Sequence, residues 1–376
     1  MSKSYYSLGL MSGTSMDGVD ASIIQSDGET KYKIILDKYF EYPQGIYKDL
    51  TKLRDKIRSS KDLKKFSKEL KNIEREITLF HAKTVNEILK ESKTNIDLIG
   101  FHGQTIYHNA HFLLSNKEKI SRQLGDGKLL SKLTKKTVVF NFRQNDLKNG
   151  GAGAPLAPIF HMLIKNKYKL KLPLIILNIG GITNITGIDS GNNMYSCDAG
   201  PGNCLIDQWI RMNSNMNYDE DGKIAMSGKI NKKILMKALE KISVKTKGKI
   251  LNRSLDVKDF DISFVKELSL EDGAATLTEY TSKIIVDEEL FYLLDGKNVL
   301  ISGGGRKNKF LIKRIEANSN HQISLKLIDD LGINGDFVES QAFAYLAIRS
   351  YLKLPISFPS TTGVSKPCNG GVIFKS

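Results

Sequence analysis

Little cysteine, a shortage of acidic residues and no long apolar run frame what this chain can be. Only three cysteines occur in 376 residues, Cys197, Cys204 and Cys368. Their spacing makes neither a metal-ligand set nor a disulfide framework, so a reducing, cytoplasmic setting is expected. No run of about eighteen apolar residues exists, and no membrane-spanning helix is expected. The start, MSKSYYSLGLMSGTS, lacks the apolar core and small-residue cleavage site of a signal peptide. Asp and Glu number 41 against 56 Lys and Arg, leaving a net charge of +15. Such a surplus raises the question of nucleic acid. The lysines are instead spread along amphipathic segments such as Ile57–Lys71 and Ile230–Lys249, without interleaved stacking aromatics. A solvated basic face that attracts anionic substrates is expected, with no nucleic-acid or membrane partner. His102, His108 and His111 have no accompanying carboxylate or cysteine shell, which argues against a metal site there.

What is present is a set of strand-ending glycine turns. Leu8–Asp20 reads LGLMSGTSMDGVD: an apolar strand, a turn of Ser12, Gly13, Thr14 and Ser15, then a second strand. Small residues and hydroxyls let backbone amides approach an anion, although the Gly-Lys-Ser/Thr of a P-loop is absent. An ordinary hairpin turn is the other reading. Leu174–Gly187, LIILNIGGITNITG, repeats the pattern around Gly180 and Gly181. A third turn, VLISGGG, ends a strand and opens a helix near Arg306, where free N–H groups favour anions. Three such turns suggest one phosphate-bearing ligand.

The first half reads as strands Tyr5–Met11, Val19–Gln25 and Tyr32–Tyr42, a long helix Leu63–Glu91 and a buried strand Ile96–Phe101. A helix Gly127–Thr134, a strand Thr137–Phe142 and a helix Pro155–Lys165 follow. The second half repeats the order. It has strands Leu174–Ile179, Ile182–Ile188 and Asn193–Cys197, then a helical region Asn203–Tyr292 with loops at Ser214–Gly228 and Gly248–Asp256. Strand Lys297–Ile301, helix Asn308–Ala317, strand Ile323–Ile328 and helix Val338–Leu352 complete it. Buried strands alternating with helices predict α/β halves, each a mostly parallel sheet with one antiparallel hairpin strand, covered on both faces.

The ordered motifs GLMSGTSMDGVD, GFHGQTIYH, QLGDG, NFR with Asp146 and GGAGAPLAP, NIGGITN, DAGPGN, ISGGG and FPSTTG span nearly the whole chain. Together they resemble the anhydro-N-acetylmuramic acid kinases of the actin–Hsp70–sugar kinase superfamily. The resemblance implies two RNase H-like domains, each a mixed five-stranded sheet flanked by helices, with an active-site cleft between them. Residues 1–148 with 353–376 would form the first domain and 149–352 the second. It also implies an ATP- and Mg²⁺-dependent kinase of peptidoglycan recycling, active as a cytoplasmic homodimer. Such an enzyme opens 1,6-anhydro-N-acetylmuramic acid with water and phosphorylates O6.

Residue by residue, the resemblance points to Asp198 as the base that activates water. A helix N-cap is its bland alternative. Ala199 stands where the family commonly has Thr. Glu339, in the first turn of the last helix, would be a second carboxylate near the cationic sugar. Nucleotide contacts are implied for Gly13, Thr14, Ser15, Met16, Asp17, Gly18, Val19 and Asp20, for Gly180, Gly181 and Thr183, and for Gly303, Gly304, Gly305 and Asn308. Asp17 would hold Mg²⁺ through water, or serve only as a turn residue. Ser12, His102, Gln104, Arg143, Gly200 and Asn203 are the candidate sugar contacts. For Arg143, a fork onto the lactyl carboxylate and an interdomain salt bridge stand side by side. The tail Ser365–Gly371 departs from the family pattern.

Overall fold

The computed structural model describes residues 3–110, 114–246, 255, 257–287, 298–319 and 323–376. Two compact units divide the chain, one of residues 1–169 with 337–376 and one of residues 170–336. Twelve strands are described: β1 Tyr5–Ser12, β2 Gly18–Ser26, β3 Tyr32–Glu41, β4 Leu98–Asn109, β5 Ile120–Leu124, β6 Thr137–Phe140, β7 Leu174–Ile179, β8 Ile182–Ile188, β9 Met194–Pro201, β10 Asn298–Ser302, β11 Ser324–Leu327 and β12 Val372–Phe374.

The first unit's sheet runs β12-β6-β4-β1-β2-β3, with β5 paired to β4. It is mixed: β1 and β6 lie parallel to β4, and the remaining pairs are antiparallel. Seven strands replace the five expected. Strand β4 does not stop at Phe101 but continues to Asn109, and its extension pairs with β5. Strand β12 adds to β6. Strand β5 is polar at three of five positions and gives no apolar signal, while β12 is apolar but only three residues long. Helix Gln44–Lys56, unread in the sequence, buries Ile46, Leu50 and Leu53 at helical spacing. The long helix expected from Leu63 is two helices, Ser60–Lys65 and Ser67–Ser92, parted at Phe66.

Helix Ser67–Ser92 lays Ile73, Ile77, Val85 and Ile88 in the same apolar core as Leu8, Leu10 and Val19. Helix Val338–Tyr351 is buried almost throughout and packs on β1, β2 and β4. Two glycines permit this. A Cβ at Gly9 would stand 1.9 Å from the Ser340 carbonyl oxygen, and one at Gly100 would stand 2.2 Å from that of Phe343. The helix backbone therefore lies directly on the sheet. This packing also puts the helix in the first unit, where the sequence reading placed it in the second. Helix Pro158–Lys167 joins that unit too.

The second unit's sheet runs β11-β10-β7-β8-β9. Strands β7, β10 and β11 are parallel, while β8 and β9 form antiparallel ribbons. Ile175, Leu177, Ile185, Cys197, Ala199, Val299 and Ile301 share one core. A second cluster surrounds Trp209, which packs on Gly273 of the buried helix Leu270–Val286. The parts of the predicted helical region at 288–292, of the loop at 248–254 and 256, and of the strand at Lys297 lie outside the described residues, as does His111.

Candidate active site

In the first unit, β1 ends at Ser12 and the chain turns at once. The Met16 N–H donates to the Gly13 carbonyl at 3.2 Å, closing a tight turn. Met16 adopts φ +60°, a left-handed conformation uncommon outside glycine, and its buried side chain anchors the turn in the core. Thr14, Ser15 and Asp17 are exposed, and the Ser15 hydroxyl donates to Asp17 Oδ1 at 2.7 Å. Only the Ser15 hydroxyl lies near the space a Cβ on Gly13 would fill, so the turn's backbone stays approachable. Gly18, Val19 and Asp20 belong to β2, and the Val19 side chain is core.

Ser12 faces inward. Its hydroxyl meets Tyr42 Oη at 2.9 Å and His81 Nε2 at 3.2 Å, and His81 Nδ1 meets the Ile77 carbonyl at 2.8 Å. That carbonyl can only accept, so Nδ1 carries the proton and Nε2 accepts from Ser12. Burial holds His81 neutral, with its pKa lowered to about 4. Ser12, placed among the sugar contacts by the sequence, is thus engaged in a buried network under the turn. Gln104 supports the same turn, donating from Nε2 to the Gly13 carbonyl at 2.8 Å.

His102 and Arg143 come together. His102 Nδ1 donates to the Gly103 carbonyl at 2.7 Å, which leaves Nε2 to accept from Arg143 at 2.9 Å. Burial, then the Arg143 charge, pushes the His102 pKa well below its usual value. The imidazole is therefore a neutral acceptor that orients the guanidinium, and Arg143 also donates to the Gly153 carbonyl at 2.8 Å. Asp146 ties this loop to the tail: Oδ1 accepts from the Gly153 N–H and Oδ2 from the Thr362 hydroxyl, each at 2.6 Å. Two sequence motifs, GGAGAPLAP and FPSTTG, meet at this carboxylate. Glu339 is half-buried in the first turn of Val338–Tyr351.

In the second unit, the turn after β7 and the turn after β9 interlock. Gly202 and Asn203 N–H groups donate at 2.8 Å to the Gly181 and Gly180 carbonyls, and the Thr183 hydroxyl donates to the Pro201 carbonyl at 3.2 Å. A Cβ on Gly202 would stand 2.2 Å from the Gly180 oxygen, so only glycine allows this approach. Gly200 is equally tight against Ile284. A Cβ would meet nothing closer than 3.5 Å at Gly180 and 3.9 Å at Gly304, where Asn203 is the nearest residue. The second and third glycine turns are thereby neighbours. Asp198, expected on a turn after a strand ending at Cys197, lies instead within β9, which the pairing with β8 carries on to Pro201, and it is 6 % exposed. Asn184 Nδ2 donates to its Oδ1, and the Leu255 N–H donates to its Oδ2 at 2.8 Å.

Asn308, expected at the nucleotide, caps helix Lys309–Asn318 by accepting from the Leu311 N–H at 2.9 Å. Arg306 does work the sequence reading did not assign. Its buried guanidinium forks onto Asp329 at 2.6 and 3.0 Å, reaches Asp336 at 2.6 Å and donates to the Gly303 carbonyl at 3.0 Å. Burial alone would raise the Asp336 carboxyl, but Arg306 and Lys307 outweigh it and hold it below the usual range. The GGG turn is thus clamped to segment 329–336. Asn184 closes the NIGGITN motif without being given a role by it, and Arg306 is findable only as the residue after the GGG motif. Among the described residues, no group of three or more His, Cys, Asp or Glu could hold a metal ion, and no helix is long and apolar enough to cross a membrane.

The family model described as anhydro-N-acetylmuramic acid kinase matches residues 5–376. A protein of that name from Pelagibacter ubique is 54% identical over 382 residues, covering 100% of both chains. Namesakes from Zymomonas mobilis and Brucella canis are 38% and 37% identical, the first covering 97% of this chain and 98% of its own, the second 97% of each. The match runs through every turn described above, from the Gly13 hairpin to the FPSTTG tail, and on that ground the chain belongs to the anhydro-N-acetylmuramic acid kinase family.

Proposed function

We propose that this kinase opens the 1,6-anhydro bridge of 1,6-anhydro-N-acetylmuramic acid with water and transfers the ATP γ-phosphoryl group to O6. The products are N-acetylmuramic acid 6-phosphate and ADP, within peptidoglycan recycling. The observation that carries this reading is Asp198: a buried carboxylate beside the β-bulge in β9, with a hydrogen-bond donor on each oxygen. Such a group is a positioned base. Asp198 takes one proton from water as its oxygen bonds to C1. The C1–O6 bond breaks, O6 bonds to the γ-phosphorus, and ADP leaves. The other water proton stays on the new C1 hydroxyl, and Asp198 later returns its proton to solvent.

Glu339 stabilises positive charge building at C1. The uncrowded backbone at Gly180 and Gly304 supports contact with phosphate oxygens, as does the exposed hydroxyl-rich turn Thr14–Ser15. Phosphoryl transfer relies on such positioning and on charge stabilisation more than on covalent chemistry. Mg²⁺, when bound, would neutralise phosphate charge, and the exposed Asp17 carboxylate fits an ion held through water. His102 keeps Arg143 aimed for the lactyl carboxylate. The same reading places the enzyme in the cytoplasm as a homodimer, which sedimentation of the purified protein tests.

Turnover in ¹⁸O-labelled water tests the coupling. A 6-phosphate carrying one heavy oxygen at C1, beyond spontaneous anomeric exchange, is the expected product. A phosphorylated product without heavy oxygen, or no consumption of this sugar by folded protein, overturns it.

A further inference from the structure

Asn184 stands outside the residues to which the chemistry above was assigned, yet the sheet puts it directly opposite Asp198. The β8–β9 ladder pairs Ile185 with Cys197 and Asn184 with Asp198, and then shifts: Thr183 pairs with Gly200. One extra residue, Ala199, is inserted at that step. This is a β-bulge, a device that re-aims the chain at the end of a ladder. Ile185, Cys197 and Ala199 all enter the apolar core. Strand alternation then sends Asn184 and Asp198 to the other face of the sheet. Directly opposed side chains on one face lie within hydrogen-bond reach.

We propose that Asn184 is the positioning residue for the catalytic carboxylate: its amide fixes the rotation of the Asp198 carboxyl group about Cβ–Cγ. This rests on the reading of Asp198 as the base. The direction of the bond is set by chemistry. A carboxylate oxygen accepts, so the amide nitrogen must face it. With Asn184 on Oδ1 and the Leu255 N–H on Oδ2, the carboxylate plane is held from both sides. Asn184 is itself carried on a strand whose next residues are fully buried, so the donor is rigid. Beyond the bulge, the Thr183 hydroxyl and the Gly181 carbonyl fix Pro201 and Gly202 independently. The glycine turns therefore keep their shape without Asn184, and its loss acts on the base alone.

The test is a double-mutant cycle read by steady-state kinetics with ATP and 1,6-anhydro-N-acetylmuramic acid. Asn184→Leu keeps the branched side-chain skeleton, with somewhat more bulk, and removes the donor. A charge-assisted hydrogen bond of this kind corresponds to a loss of roughly ten- to a hundredfold, expected in kcat with both KM values within about twofold of the parent. Asn184→Ser, smaller and polar, should show the same split and serves if the Leu variant does not fold. In the Asp198→Asn background, either substitution should cost little more, because Asn184 acts through Asp198. Unchanged kcat in a folded Asn184 variant, or losses that simply add to those of Asp198→Asn, overturn the proposal. Retained activity in Asp198→Asn alone would instead sink the assignment of the base.

Discussion

Acidification should unfold the first unit before the second, because every described histidine lies in the first. His81 and His161 are 0% and 3% exposed, and burial lowers each pKa to about 4, against 6.5 when solvated. The unfolded chain therefore binds more protons than the folded one between those two values. Stability is full above about pH 6.5 and falls as pH drops toward 4. Between pH 7 and pH 5 each histidine withdraws about 2 kcal/mol, at about 1.4 kcal/mol per pKa unit. Together they remove about 4 kcal/mol. His102, displaced further in the same direction, adds to this.

In the second unit, Asp207 has the opposite sign. Burial raises its carboxyl to about 6, so it loses stability as pH rises and gains it on acidification. A midpoint shift of roughly 10 °C is expected for the first unit, at about 2–4 °C per kcal/mol for a unit of this size. The assay separates the units with one probe each. The single tryptophan, Trp209, lies in the second, so its fluorescence reports that unit, and far-UV circular dichroism reports both. At pH 5 the dichroism midpoint should fall well below the fluorescence midpoint. Equal midpoints at pH 7 and pH 5 by both probes would refute burial of neutral histidines as the cause.

Further substitutions address the site directly. Asp198→Asn should cut kcat by roughly a hundredfold to ten-thousandfold while leaving ATP binding near normal, measured by calorimetry beside turnover. Gly202→Ala puts a methyl group 2.2 Å from the Gly180 carbonyl oxygen and must part the two turns, so the KM for ATP should rise with little change in melting temperature. Arg306→Met takes the guanidinium from Asp329, leaves Asp336 with Lys307 alone and frees the Gly303 carbonyl. It should cost about 1–3 kcal/mol in urea titration, given the partial exposure of both carboxylates. Gly9→Val should yield insoluble protein, since its side chain meets the backbone of the helix that covers the sheet.

The parts legible in the sequence were those where local chemistry dictates local geometry. Apolar runs bounded by glycine could only be strands ending in tight turns, and the three turns stand where the sequence puts them. The first sheet's extra strands were illegible for the opposite reason. Val372–Phe374 becomes a strand only because β6 offers it an edge, and nothing in three residues announces that partner. The same limit divides the site. Asp198 is legible because it opens the DAGPGN motif, which leads into the turn at Gly202. Asn184 is not, because its meaning depends on a register fourteen residues away. Arg306 is a further case, for it gains its role only once segment 329–336 folds back over the glycine turn. Residues that bear chemistry are selected for their own type, and the sequence displays them. Residues that aim that chemistry are selected for where the fold brings them, and only the pairing of strands reveals which they are.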